Sequence, residues 1–208
     1  MSIRFLLNAA VTAGVLALAG CAAPAGHVAD PNAQVGAYRD TIDLTGRLSV
    51  NYMKDGQVQP LSGKFEWSQK PGVIDVALLN PLGQTLAEIS VTPQAATLTQ
   101  GNKPPRTAGD IDTLSAQALG FPLPVSGLRD WMQGYATDAA GKRFVASPVR
   151  NSVVTNDGWR LTFATWQDQP AGASGSSAAP MPQRIDIARG SAANGDALDI
   201  HVILDPAL

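Results

Sequence analysis

Apolar and polar residues alternate with period two over much of this chain. From Thr41 onward, Ile42, Leu44, Gly46, Leu48, Val50 and Tyr52 interleave with Asp43, Thr45, Arg47, Ser49 and Asn51. Such strict alternation predicts a half-buried β-strand, because successive strand side chains point to opposite faces of a sheet. Lys54-Asp55-Gly56-Gln57 has hairpin-turn chemistry, and a second alternating run follows with Leu61, Gly63, Phe65 and Trp67 on one side. Pro71-Gly72 turns the chain into VIDVALL, and Asn80-Pro81-Leu82-Gly83 turns it again into LAEISV. Short strands separated by turn signals predict an antiparallel meander.

The period changes after residue 100. QGNKPPRTAG (100–109) reads as a loop, and Asp110 to Leu119 reads as a helix with its acids in the first turn, ended by Gly120 and Pro122. A second short helix is predicted from a Ser126 cap to Gly134, with Leu128, Trp131 and Met132 on one side. Strand patterning then resumes. Val153-Val154 leads to an Asn156-Asp157-Gly158 turn, and Trp159, Leu161 and Phe163 alternate with polar residues beyond it. Residues 170–180 (PAGASGSSAAP) are low in complexity and predicted to be a disordered loop. Ile185 and Ile187, then Leu198, Ile200, Val202 and Leu204, predict two closing strands joined through Gly190 to Gly195.

The outline is one α+β domain built on a curved antiparallel sheet. Two short helices cover such a sheet poorly. Either the sheet packs on itself around a filled core, or it leaves an apolar concavity suited to a hydrophobic ligand. Strand and helix phase select Phe65, Trp67, Leu78, Ile89, Leu128, Trp131, Trp159 and Phe163 as the lining of that concavity. One turn is odd. Asn80 and Pro81 are turn formers, yet the second corner is Leu82, a large apolar residue where corners face water. Leu82 can fold back on its hairpin, extending the Leu78-Leu79 run, or point outward toward an apolar phase.

The N-terminal residues bear on that choice. MSIRFLLNAAVTAGVLALAGC has one cation, Arg4, followed by an apolar run from Phe5 to Ala19. The run is too short for a stable membrane span and reads as an export signal. Leu18-Ala19-Gly20-Cys21 resembles the bacterial lipobox, which implies cleavage before Cys21, a diacylglyceryl group on its sulfur and an acylated amino terminus. The alternative is an ordinary secretory signal. Against it, Cys21 is the sole cysteine and falls where the motif requires one. The expected organisation is a signal peptide over 1–20, a lipidated cysteine with a flexible tether over 21–40, and a folded domain over 41–208. Ala22, in place of the aspartate that commonly retains such proteins in the inner membrane, implies the outer membrane and its periplasmic face.

Composition adds exclusions. Hydrophobic residues are 45% and charged residues 15%, enough apolar material for one core. The net charge is −2 with no basic block, which argues against nucleic-acid binding. There is no Gly-x-Ser-x-Gly elbow, His-Glu-x-x-His pair or glycine-rich phosphate loop. His27 lies in the tether and His201 at a polar strand position, while Asp110 and Asp112 suit a helix start. No enzyme is expected, and no cofactor beyond the lipid on Cys21.

Several motifs together resemble one family. They are Gly46-Arg47-Leu48, Phe65-x-Trp67, Asn80-Pro81-Leu82-Gly83-Gln84-Thr85, and Leu119-Gly120-Phe121-Pro122-Leu123-Pro124 with Leu128-Arg129-x-Trp131-Met132-x-Gly134, then Gly158-Trp159 and Met181-Pro182. In this order, from about residue 40 to 205, the chain is similar to the LolB family of outer-membrane lipoprotein receptors. The resemblance implies an incomplete β-barrel with a short-helix lid over an apolar cavity, like that of the soluble carrier LolA. It implies a monomer that takes triacylated lipoproteins from LolA and inserts them into outer-membrane lipid, driven by affinity without nucleotide. It also implies that the loop Asn80, Pro81, Leu82 and Gly83 contacts the membrane through Leu82. A different reading is a structural or assembly lipoprotein that binds another envelope protein through a sheet edge.

Overall fold

The computed structural model describes residues 32–119, 123–168 and 179–206. The alternating runs form β1 (Ile42–Lys54), β2 (Gln57–Lys70), β3 (Val73–Leu79), β4 (Thr85–Val91), β5 (Ala96–Thr99) and β6 (Arg106–Ala108). Two helices follow, α1 (Ile111–Leu119) and α2 (Val125–Trp131). The chain then returns to strands: β7 (Tyr135–Thr137), β8 (Arg143–Val145), β9 (Ser152–Val154), β10 (Arg160–Asp168), β11 (Pro180–Arg189) and β12 (Leu198–Leu204). Ten strands make one antiparallel sheet in the order β6-β5-β4-β3-β2-β1-β12-β11-β10-β9, and β7 and β8 form a separate hairpin. The last strand closes onto the first, while the edge strands β6 and β9 do not pair with each other. The sheet is therefore open, and the class is α+β.

Alternation decides which face is buried. On β1, Ile42, Leu44 and Val50 are buried, as are Phe65 and Trp67 on β2, Val76 on β3 and Ile89 on β4. Gly46 interrupts the β1 series for a steric reason. It lies directly opposite Phe65, and a Cβ there would meet the Phe65 ring at 2.9 Å and also run into the Ile203 carbonyl oxygen. The missing side chain makes room for the aromatic one. On the opposite faces of the same strands, Asp43, Thr45, Arg47, Lys64 and Glu66 are exposed.

The register fixes which loops share an end. Leu79 pairs with Lys64, midway along β2, so the turn after β3 points toward the Asp55-Gly56 end of the sheet but lies well short of that hairpin. Ile42 pairs with Gln69 at the other end. The chain thus enters its sheet at the end remote from Leu82.

Four expectations are corrected. The tether does not extend to residue 40, because Val35 is buried and its N–H donates to the Ala146 carbonyl at 3.3 Å. The second helix starts at Val125 and ends at Trp131, and Pro124 precedes it without a side-chain cap. Ser126 is not that cap, since its hydroxyl and its N–H both donate to the Asp112 carboxylate on α1. The loop expected over 100–109 contains β6, which pairs Thr107 with Thr97. The β7–β8 hairpin went unread, because its three-residue strands are too short to show a period. The signal peptide, Cys21, His27, Gly120 to Pro122 and most of the 170–180 segment lie outside the described residues.

Candidate functional site

The Asn80–Gly83 turn is built by its first residue. The Gly83 N–H donates to the Asn80 carbonyl at 2.9 Å, closing the turn. The Asn80 side-chain Oδ1 accepts from the backbone N–H of Leu82 at 2.9 Å and of Gln84 at 3.0 Å, and its Nδ2 donates to Gln84 Oε1 at 2.8 Å. This is the reason for asparagine here: its short amide satisfies backbone donors that the turn leaves unpaired. Gly83 takes φ +84°, which a residue without a side chain adopts at no steric cost. The outcome is a rigid corner with Leu82 at its tip, 87% exposed. Leu86, a few residues on, is 54% exposed at the same end.

Beneath α2 lies a small apolar pocket of about 40 Å³. Five of the eight residues selected by phase line it: Phe65, Trp67, Leu78, Ile89 and Leu128. Leu48, Val76, Ile200 and Val202 complete the sheet side, and Val125 and Met132 the helix side. The sheet residues share the strand phase of those selected, so the pattern contained them; pairing of β12 with β1, which brings Ile200 and Val202 in, is not written locally in the chain. Trp131, Trp159 and Phe163 do not line this pocket. Trp131 and Trp159 pack on each other with centroids 6.2 Å apart, and Phe163 stacks on Phe144. All three sit in the core beside the β7–β8 hairpin, a neighbour that strand phase does not reveal.

The pocket is small: small-molecule sites run to roughly 300–1,000 Å³, many times its volume. Polar contacts hold α2 along its edges. Arg129 Nε donates to the Tyr38 hydroxyl at 2.9 Å, and Gln69 Nε2 donates to the same hydroxyl at 3.1 Å. Gln133, just past the helix, accepts from the Arg39 N–H at 2.9 Å and donates to the Arg39 carbonyl at 3.1 Å. At the other end of α2, Asp112 joins it to α1 through Ser126. The Trp67 indole N–H is buried without a hydrogen-bond partner among the described residues.

Asp110 caps α1. Its carboxylate accepts from the Thr113 N–H at 2.8 Å and the Thr113 hydroxyl at 2.7 Å. These bonds favour the charged form and hold the carboxyl below its ordinary value. A larger depression, about 830 Å³, lies elsewhere, with Asp43, Glu66, Asp75 and Glu88 from the exposed sheet face along it. It is not the apolar cavity. His201, expected to be solvated, is half-exposed with Nδ1 2.7 Å from Asp186 Oδ1.

Comparison with known proteins gives a consistent result. The family model "Outer membrane lipoprotein LolB" matches residues 40–205. A Cupriavidus taiwanensis protein named outer-membrane lipoprotein LolB is 40% identical over 163 residues, covering 78% of each chain. Proteins of the same name from Ralstonia nicotianae and Bordetella petrii are 36% and 35% identical; the first covers 90% of each chain, the second 76% of this chain and 81% of that one.

Proposed function

The chain belongs to the LolB family of outer-membrane lipoproteins, and from that premise we propose that it takes acylated lipoproteins from the carrier LolA and inserts them into the outer membrane. The family is one of lipoprotein-localisation receptors rather than enzymes. In this reading Cys21 carries a diacylglyceryl group and an N-acyl chain, α2 is the lid, and the pocket beneath it receives an acyl chain. The observation that carries the reading is Leu82, a leucine 87% exposed on a corner that Asn80 holds rigid.

Magnitudes support a moving lid. Exposing Val125, Leu128 and Met132 costs at most roughly 1.5–3 kcal/mol each, while a sixteen-carbon chain gains about 0.8 kcal/mol per methylene buried, more in total. Cargo thus opens a lid that stays shut without it. An acyl ester or amide carbonyl entering the pocket would also satisfy the buried Trp67 N–H. Delivery then runs downhill in affinity from carrier to receptor to bilayer, and no nucleotide is needed.

The test is uptake of an apolar fluorescent probe by the full-length acylated chain in detergent-free vesicles, followed by addition of an acylated lipoprotein from its LolA complex. The probe should bind and then be displaced. Binding unaffected by lipoprotein, or none above the vesicle background, overturns the reading. The scaffold alternative finds little support in the edges of the sheet. β6 and β9 are three residues each, too short for stable strand addition.

A further inference from the structure

Just past β8 the chain makes a second turn, Ser147-Pro148-Val149-Arg150, built like the one that carries Leu82. Proline takes the first corner and an apolar residue the second. The Arg150 N–H donates to the Ser147 carbonyl at 3.0 Å and to the Ser147 hydroxyl oxygen at 3.1 Å, and the Ser147 N–H donates to the Arg150 carbonyl at 3.1 Å. Ser147 is buried, so the turn is held from below, and Val149 is 64% exposed at its tip. A single apolar residue on a surface is ordinary. A β-branched one at a fixed corner, where polar residues are the rule, is not.

The position of this corner says what it meets. The Ala146 carbonyl, next to the turn, accepts the Val35 N–H at 3.3 Å, and the Tyr135 hydroxyl donates to the Gly36 carbonyl. Val35 also shares a small crevice with Ile42 and Pro180, at the end of the sheet where the chain enters. Val149 therefore lies beside the point of entry. Ten residues separate Cys21 from Asn32, the first residue described, and each spans at most about 3.6 Å. A lipid on Cys21 keeps this corner close to the bilayer.

Cations border it as well. The Arg150 guanidinium lies 4.7 Å from the centre of the Phe144 ring, and that of Arg143 4.4 Å from the centre of the Tyr135 ring. Neither arginine forms an ion pair among the described residues. Asp138, the acid of the β7–β8 hairpin, is at its opposite end, where the carboxylate accepts the Ala140 and Lys142 N–H groups at 2.9 Å. An apolar tip with arginine stems beside it has the composition of a segment that meets a membrane interface.

We propose that the Ser147–Arg150 turn is a second bilayer contact, at the anchored end of the domain and independent of Leu82, with Val149 entering between the lipid headgroups. The inference rests on the reading that Cys21 carries the lipid anchor. With Leu82 at the remote end, the domain then has two postures. It is seated on Val149 between deliveries and tipped onto Leu82 during one.

Photolabelling from within the membrane tests this on the full-length acylated chain without cargo. The chain is bound to phosphatidylcholine–phosphatidylglycerol vesicles carrying a diazirine on an acyl chain, and labelled peptides are located by mass spectrometry. The peptide containing Val149 should be labelled, and the exposed 101–104 loop, the internal reference, should not. Val149→Asn suits the corner and should cut that label about fivefold, the weight of burying the exposed part of one valine side chain. Label on the peptide containing Leu82 should hold or rise; its loss together with the Val149 label overturns the independence of the two contacts. Label at Val149 no higher than in the 101–104 loop, on a chain that floats with the vesicles, overturns the proposal and leaves the anchor reading standing. Equal label in the Val149→Asn variant overturns it too, since the contact would not run through the valine. A chain that does not float overturns both.

Discussion

The side-chain oxygen of Asn80 accepts the backbone N–H of Leu82 at 2.9 Å, so the residue that starts the turn also fixes the residue at its tip. Asn80→Ala removes this bond and the two to Gln84. All are exposed, so global stability should fall by no more than about 1 kcal/mol. Hydrogen exchange at the Leu82 and Gln84 amides should rise markedly, and cargo delivery should slow. Unchanged exchange at those amides would show that the turn holds its shape without the asparagine.

Leu82→Glu separates acceptance from delivery. At 87% exposure the leucine contributes little to the fold, and stability should change by less than about 0.5 kcal/mol. Transfer of lipoprotein from LolA to the variant should proceed, and release into vesicles should stall. Normal release removes the loop from the mechanism.

Tyr38 joins the entering chain to α2. Tyr38→Phe deletes the acceptor for Arg129 Nε and Gln69 Nε2. The expected loss is about 1–2 kcal/mol, or roughly 2–8 °C in unfolding midpoint for a domain of this size. Probe uptake should become faster, since α2 loses one of its edge contacts. A lower midpoint with unaltered uptake would mean that Tyr38 braces the fold without limiting movement of α2.

Gly46→Ala tests the close approach of Phe65. The new methyl group overlaps both the Phe65 ring and the Ile203 carbonyl, and relief requires β1 to shift against its neighbours. A destabilisation of about 1–3 kcal/mol is expected by urea unfolding. Wild-type stability would show that the ring moves aside freely.

Asp110 gives a pH dependence of definite sign. Its folded pKa lies below the ordinary 3.8 because Thr113 bonds the carboxylate. Its contribution is therefore complete above that value and lost as pH falls through the lower, folded one. Asp110→Asn keeps a capping oxygen but does not titrate, so it should flatten part of the acid limb of a stability-versus-pH curve between pH 2 and 5 and leave neutral stability nearly unchanged.

The parts of this fold visible in the chain are those whose physics is local. The alternation from Ile42 to Trp67 yielded two strands and their buried faces, with Phe65 and Trp67 on the side that meets α2, because period two is dictated by backbone geometry alone. The Asn80–Gly83 turn was legible for the same reason. Trp131, Trp159 and Phe163 had the right phase and a different neighbourhood, since the β7–β8 hairpin that flanks them is recorded only in long-range contacts. Ser126 had the chemistry of a cap, but α1 and α2 lie close enough for Asp112 to take its hydroxyl. The opposed Arg47 and Lys64 were each ordinary polar positions until register set them face to face.

The chain enters beside Gln69, and the Leu82 turn springs from the other end of β3, where Leu79 lies opposite Lys64 and Lys64 opposite Arg47. Five residues of β1, from Ile42 to Arg47, separate those two levels, about 17 Å at the ordinary strand rise. Ten residues lie between Cys21 and Asn32, a stretch that spans at most about 36–40 Å. If Cys21 is the anchor, as proposed, its leash is longer than that offset. The domain can then pivot about its mooring until the leucine faces the surface that holds it, and shortening the leash below the offset should idle a fully folded domain.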